Sequence, residues 1–546
     1  MASPSLPKPS TGARAWLGVL AYPTFAVVWA TSTLALIGLA MYDTASGWLM
    51  TQLDLNPLHV SLLHAAVNLP MFLFTLPAGA IADIVNPRRT IIAVSTGVAA
   101  LIAVFAGFVA FDLATPELLL LTTFLLSAAW ALSSPAWLSI LPSLVPKSDL
   151  PGAIAANGVA YNVSRTVGPA LCGFVIVNFG DSTPFWAFVA ANLGVIAALL
   201  WWRGACKETA ALPAERLNSA VRTGIRHAAH NRLLRATLVR AVAVYPFAAA
   251  YWGLLPLIAR RTGNGAEHYG LFLSMVSVGA VVGSISQRRL RDRIDLDRMV
   301  VLGTIATAGA LGVFSATQQF SLVLGACFFA GVGWVVILTG LYVSAENALP
   351  EWVRGRGLAV FLTVIFGTMT LCSAAWGEIA AKIGLSEALF LSAVGVIIAM
   401  PLSWHWKLQQ NEALDLSPSL HWAPPRSVAE IGDDRGPILV KIEYRIDPND
   451  RARFLRGLDE LGEERRRHGA FAWGVFEDMS EFGRFEEGYM IESWLELKHV
   501  RERVTVEDRM LEDEISKLLL KPPHIEFLVA SDRRPRARRH AAAAGA

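Results

Sequence analysis

Charge is scarce in this chain. Of its 546 residues only 17% are Asp, Glu, Lys or Arg, against about 25% in ordinary soluble domains. Most of these charges stand in loops and in the last quarter of the sequence. The net charge of +3 is too small to argue for a nucleic-acid partner. Cysteine is equally sparse: Cys172, Cys206, Cys327 and Cys372 form no CxxC pair and have no neighbouring histidine. Three of them fall in long apolar stretches, where small packing residues are the expected reading rather than metal ligands or disulfides. No Gly-x-x-x-x-Gly-Lys-Ser/Thr loop occurs, so ATP-driven work is not expected of this chain. The residues up to Arg14 lack a short apolar core followed by a cleavage site, so no removed signal peptide is read.

What the chain has in abundance is hydrocarbon, with 54% of residues hydrophobic. The apolar spans are placed at 25–52, 60–84, 90–111, 117–145, 151–179, 183–203, 236–259, 269–288, 299–317, 320–349, 357–381 and 386–404. A run of about 18 or more apolar residues is long enough to cross a bilayer as a helix. The stretches 91–111, 118–146, 182–202 and 357–377 carry no charge at all, and a water-soluble helix would need a polar face. Basic residues mark every second junction: Arg88 and Arg89, Lys147, the segment 203–240, the run 288–298, and Arg354 with Arg356. The opposite side holds little beyond Arg260, Arg261 and Lys382. By the positive-inside rule the first set is cytoplasmic. An even number of spans then puts both termini in the cytoplasm, in a multi-pass protein of the bacterial inner (plasma) membrane.

The break at 204–235 divides the spans six and six and carries Arg216, Arg222, Arg226, Arg232 and Arg235, as a connector lying along an anionic leaflet would. Two six-span halves are the layout of a rocking transporter with its substrate path near the midplane. After Trp404 the composition changes. The stretch 438–446 alternates apolar and polar residues like a half-buried strand. Asp447, Pro448, Asn449 and Asp450 supply capping chemistry for a helix running to about His468. Strands at 471–476 and 489–495, a charged helix over 496–520 and a strand at 525–529 complete a βαββαβ order, the ferredoxin-like arrangement. The expected fold is thus an all-α polytopic membrane protein, twelve transmembrane helices in two six-helix bundles, plus a small cytoplasmic α+β ferredoxin-like domain. The expected domains are an N-terminal bundle (1–203), a connector (204–235), a C-terminal bundle (236–404), a linker (405–436), the soluble domain (437–530) and a basic tail expected to be disordered (531–546).

Three groups of residues invite a functional reading. At the end of the second span stand Gly79, Asp83, Asn86, Pro87, Arg88 and Arg89. Glycine permits close helix contact, and Asp83 can cap a helix or pair with arginine; the plainer reading is a basic loop after a helix-ending acid. In the fifth span, Gly168, Pro169 and Gly173 are suited to close packing and a bend. Arg165 sits in mid-span with Asn157 and Tyr161 on its face at helical spacing. A mid-membrane arginine costs at least about 2.5 kcal/mol and normally faces a cavity or an acid. Asp43 in the first span is the natural counterpart, and Glu346 near the end of the tenth is a second candidate. This set is read as a proton-coupling or substrate site; a structural ion pair tethering helices is the rival. Some of Trp48, Trp130, Trp137, Tyr161, Tyr245, Trp252, Trp334 and Tyr342 would line an apolar cavity, the others interfacial belts.

The Gly79–Arg89 segment resembles the loop motif Gly-x-x-x-Asp-Arg-x-Gly-Arg-Arg of the major facilitator superfamily, with Ile84 for the arginine and Asn86 for the glycine. The span-five glycines are similar to that superfamily's exporter motif ending Gly-Pro-x-x-Gly-Gly. Longer runs sharpen the match: Ser134, Pro135 and Ala136, then 141–146, then Asp149, Leu150 and Pro151, and Ala156, Asn157 and Gly158. With 41–50 and 350–357 they resemble the transmembrane secretion effector branch, which includes enterobactin-exporter-like proteins. That resemblance covers about residues 16–405 and implies twelve helices, alternating access and export of small molecules, without naming the cargo. It also implies gating by Asp83, Arg88 and Arg89. The tail resembles small dimeric α+β barrel domains of the antibiotic-biosynthesis monooxygenase type.

The expectation is therefore a secondary transporter exporting a siderophore, metabolite or drug against protons, in the lipid bilayer, with no cofactor, no metal and no catalytic residues. Homodimerisation through the tail is a further expectation. The alternatives are an importer of the same fold, or a membrane-anchored protein whose tail is a sensor or a monooxygenase-like enzyme. For the last, His468, Trp473, Tyr489, Trp494 and His499 would line a pocket; core aromatics and surface histidines are the simpler reading.

Overall fold

The computed structural model describes residues 15–82, 86–202, 217–263, 265–290, 293–409, 415–419, 421–422, 432 and 435–530. Asp83, Cys206 and the 531–546 tail lie outside the described residues. After short helical turns over Ala15–Gly18 and Val19–Ala21, six long helices follow: α1 (Pro23–Leu53), α2 (Pro57–Ala82), α3 (Pro87–Ala110), α4 (Pro116–Ile140), α5 (Leu150–Phe179) and α6 (Thr183–Trp201). A shorter helix, α7 (Leu217–His230), leads into six more: α8 (Arg232–Arg261), α9 (Gly265–Leu290), α10 (Leu296–Ala316), α11 (Phe320–Asn347), α12 (Arg354–Ile383) and α13 (Leu385–Leu402). Eleven of these twelve long helices are long and apolar enough to cross a membrane. The twelfth, α5, has the length but carries Asn157, Asn162 and Arg165.

Local chemistry sets the helix ends. Proline stands in the first turn of α1, α3, α4, α5 and α6, where its missing N–H costs nothing and its φ is already helical. Asn86, the residue replacing the motif glycine, caps α3 by accepting from the Arg89 N–H at 3.3 Å. Thr115 caps α4 in the same way. In the first half α1 packs against α5 and α6, α2 against α4, and α3 against α4 and α6. In the second, α10 packs against α13, while Gly279 and Gly331 bring α9 and α11 into backbone contact. The halves meet where α9 lies along α5 and α1.

The chain forms two compact units. The first contains the helical halves. The second comprises residues 219–235, 346–357 and 411–546. Its sheet is built from β1 (Ile438–Arg445), β2 (Ala472–Glu477), β3 (Arg484–Ile491) and β4 (His524–Val529) in the order β2-β3-β1-β4, all antiparallel. Alternate residues Ile438, Val440, Ile442 and Tyr444 of β1 pack into a core with Phe454, Leu458 and Leu461 of α14 (Arg451–His468). This is the expected ferredoxin-like order, with three local differences. The helix expected over 496–520 is two helices, α15 (Trp494–Arg503) and α16 (Val506–Ser516). Thr505 and Asp508 form a capping box that starts α16 afresh. The strand expected at 489–495 lies earlier, at Arg484–Ile491, because its register is set by pairing with β1. His468 is not a surface histidine but is 2% exposed.

The described part of the connector contains α7, whose residues from Ser219 on belong to the second unit. Arg226 pairs with Glu496 at 3.6 Å and His230 with Glu463 at 2.8 Å. Asn231 donates to the Ala348 carbonyl at 2.8 Å. Trp352 lies edge-on to His227, tilted over His468, and beneath the Arg503 guanidinium.

Candidate translocation site

From Met41 to Thr51 every residue of α1 is buried except Asp43, which is exposed. On α5, Asn157, Tyr161 and Arg165 are likewise exposed, at a spacing that puts them on one face. The opposite face, with Ala153, Ala156, Ala160 and Ser164, is buried. A charged group exposed in mid-helix cannot be left to hydrocarbon, so these side chains open onto a polar space. Arg165 donates to the Tyr161 hydroxyl at 3.2 Å and lies over its ring at 5.7 Å. Asp43 and Arg165 make no ion pair within 4.0 Å among the described contacts, so both retain polar valency for a ligand or a proton. Glu346, the other acid proposed for Arg165, is half-buried near the end of α11 and falls in the second unit.

A second set of residues joins the halves. His64 of α2 shares a 2.9 Å hydrogen bond with Ser373 of α12 and stacks on Trp252 of α8, rings 6.1 Å apart and 7° from parallel. Asn68, one turn on, donates to the His64 carbonyl at 2.8 Å. Trp252 meets Trp334 edge-to-face at 5.4 Å, and Trp334 meets Tyr245 at 5.4 Å. Of the aromatics considered from sequence, Tyr245, Trp252 and Trp334 thus form one cluster; Tyr342 instead meets Phe361. His64, Asn68 and Ser373 were missed. Their signal was present: His64 and Asn68 are polar residues one turn apart in an apolar span.

The glycine motif sits at helix crossings. A Cβ on Gly168 would lie 2.6 Å from that of Ala40, and one on Gly173 would lie 2.8 Å from the Glu267 Cα. The carbonyl of Pro169 faces Gly270 of α9, and the Ala170 N–H, beside the proline, donates to Ser274 of α9 at 3.0 Å. At the loop motif, Gly79 lies in the last turn of α2, and Arg88 donates to the Leu199 carbonyl of α6 at 2.9 Å. Arg89 is exposed.

The C-terminal unit holds a buried charged network. Glu487, fully buried, accepts from Tyr444 at 2.7 Å and Trp473 at 2.8 Å. Glu512 accepts from Arg465 and His421, each at 2.8 Å, and from Trp422 at 3.1 Å. Ser419 meets His421 at 2.6 Å, but its hydroxyl also donates to the Val504 carbonyl, a structural bond rather than a free nucleophile. Hydrogen bonds and the Arg465 and Arg467 guanidiniums outweigh burial to hold the Glu512 and Asp508 carboxyls below the usual range, Glu512 at about 2. Burial lowers His468 and raises Glu464.

Twelve long helices in two halves, eleven of them apolar enough to cross a membrane, have the layout of a transporter of the major facilitator type. The chain belongs to the transmembrane secretion effector family, which it matches over residues 15–535. It is 23% identical over 371 residues to the multidrug efflux pump Tap of Mycolicibacterium fortuitum, covering 65% of this chain and 87% of that protein. It is 21% identical over 348 residues to the staphyloferrin A transporter of Staphylococcus aureus, covering 61% and 83%. The fold is shared with the nucleoside transporter NupG, with a TM-score of 0.54 at 12% identity over 70% of this chain and 98% of that one. An auto-inhibited peptide transporter of the POT family gives 0.57 at 12% identity over 72% and 98%.

Proposed function

We propose that the chain exports a small molecule across the bacterial plasma membrane in exchange for protons, by alternating access, with both termini cytoplasmic. The observation that carries this reading is the pair of opposite charges, Asp43 and Arg165, exposed on helices whose remaining cores are uncharged. Asp43 is the proton-responsive acid. Arg165, with Asn157 and Tyr161, holds cargo or counter-ion, and the His64–Trp252–Trp334–Tyr245 cluster supplies an apolar wall. The drug efflux pump and staphyloferrin transporter among its relatives support a drug- or siderophore-sized cargo. Asp83, Arg88 and Arg89 act in gating; the Arg88 tie between α3 and α6 supports this. Gly168, Pro169 and Gly173 form the surface on which one half moves against the other.

The C-terminal domain is an accessory, dimerising module. Its sheet presents a face with Leu439, Met490 and Leu528 in register, which a second copy would cover. Deleting the tail should leave transport and abolish dimers; turnover of a quinone-like or haem substrate by the tail would favour the enzyme instead. Untargeted comparison of metabolites inside and outside cells, with and without the gene, tests direction. Accumulation inside the deletion strain supports export; depletion of a medium component only when the protein is present means uptake. Asp43→Asn should abolish gradient-dependent transport in a folded protein, and unchanged transport would remove Asp43 from the mechanism.

A further inference from the structure

We propose that Glu464, His468 and Asp508 form a binding site for one divalent transition-metal cation in the C-terminal unit. Each offers a ligand atom, and these atoms lie within 4.8 Å of one another. The three residues are 3%, 2% and 3% exposed. Glu464 and His468 stand one turn apart on α14 and so share a face. Asp508 enters from the first turn of α16, fixed there by the capping box with Thr505.

One observation points to a cation at this cluster: Glu464 Oε2 is buried without any hydrogen-bond partner, which is costly for a group of this polarity. Glu464, Glu487, Asp508 and Glu512 are buried or nearly so, with Arg465 and Arg467 as the guanidiniums among them. Arg465 is engaged by Glu512 at 2.8 Å and lies 3.5 Å from Glu464; Arg467 is engaged by Asp508. A divalent ion held by these carboxylates would offset negative charge buried beside them.

Nε2 of His468 and Oδ2 of Asp508 are 3.0 Å apart, close to the separation of two ligands on an ion with bonds of about 2.0–2.2 Å. The ion binds Nε2 as the ring proton shifts to Nδ1, keeping the imidazole neutral, and the Glu464 carboxylate closes by about 1 Å to complete the set. Imidazole with carboxylates selects an ion such as Zn²⁺ over Mg²⁺. Trp352, tilted over the His468 ring at 6.2 Å, shields the site.

The test uses the tag-free full chain in detergent, stripped with a chelator and titrated calorimetrically with Zn²⁺. One equivalent should bind. Glu464→Gln and His468→Gln should each weaken binding at least about tenfold, while Glu486→Gln on the sheet should not. X-ray absorption of the Zn²⁺-loaded wild type should read one imidazole nitrogen with oxygen neighbours, a result independent of whether the variants fold. Absence of one-equivalent binding, equal affinity in both variants, or sulfur or several imidazoles around the ion would overturn the assignment.

Discussion

A single methyl group at Gly270 should push the halves apart. Its Cβ would lie 2.3 Å from the Pro169 carbonyl oxygen, about 1 Å inside ordinary contact. Both the glycine and the carbonyl are backbone in long helices, so no side chain can swing away. The crossing of α5 and α9 must open, at a cost of about 1–3 kcal/mol for such overpacking. If this crossing is made in one state of the transport cycle and relaxed in the other, that cost shifts the balance between them by about 5- to 150-fold. Spin labels at Asn178, near the end of α5, and Gln318, after α10, report the separation of the halves. Gly270→Ala should lengthen the distance distribution and slow transport, and Gly270→Leu should do both more strongly. Unchanged distances and unchanged transport in the leucine variant would refute the argument that this contact belongs to the moving surface.

Three further outcomes follow from particular contacts. Arg240 and Asp297 form a buried 2.6 Å ion pair between α8 and α10; Arg240→Met should cost about 3–5 kcal/mol by stranding the carboxylate, and adding Asp297→Leu should recover most of it. Melting of the purified protein checks this, and a double variant no better than the single would count against it. Trp252→Ala removes the ring on which His64 stacks, so binding of a transported aromatic dye should weaken by about 1 kcal/mol or more; equilibrium binding that matches wild type would take Trp252 out of the wall. The C-terminal unit should lose stability on acidification. Asp508 and Glu512 are held low, so their contribution is present above the usual carboxylate range and lost as pH falls through their folded values. Burial holds His468 low and His227 at about 2, so each loses stability as pH falls below about 6.5. Glu464 and Glu507, raised by burial, act in the opposite sense. Proteolysis of the tail at pH 4 and pH 7 decides: greater resistance at pH 4 would mean that Glu464 and Glu507 dominate.

Much of the transporter was legible from sequence because span length and charge spacing are local properties. One departure from the loop motif, Asn86 in place of its glycine, has a local explanation as the cap of α3. The single helix expected over 496–520 failed for a local reason as well, since Thr505 and Asp508 carry a capping signal that its charge pattern obscured. His64 and Ser373 are 309 residues apart, and no periodicity relates them. The same holds for the Asp508 carboxylate, 40 residues from His468.

The sequence alone determined that the chain crosses a membrane repeatedly, divides into six and six, and ends in a small antiparallel sheet. These follow from runs of hydrocarbon, from where arginine interrupts them, and from alternation along strands. Tertiary structure decided which polar groups share a site, which glycines touch another backbone, and that α7 joins the C-terminal unit. The physical reason is distance: burial and pairing across helices depend on residues far apart along the chain, and only packing brings them within a few ångströms.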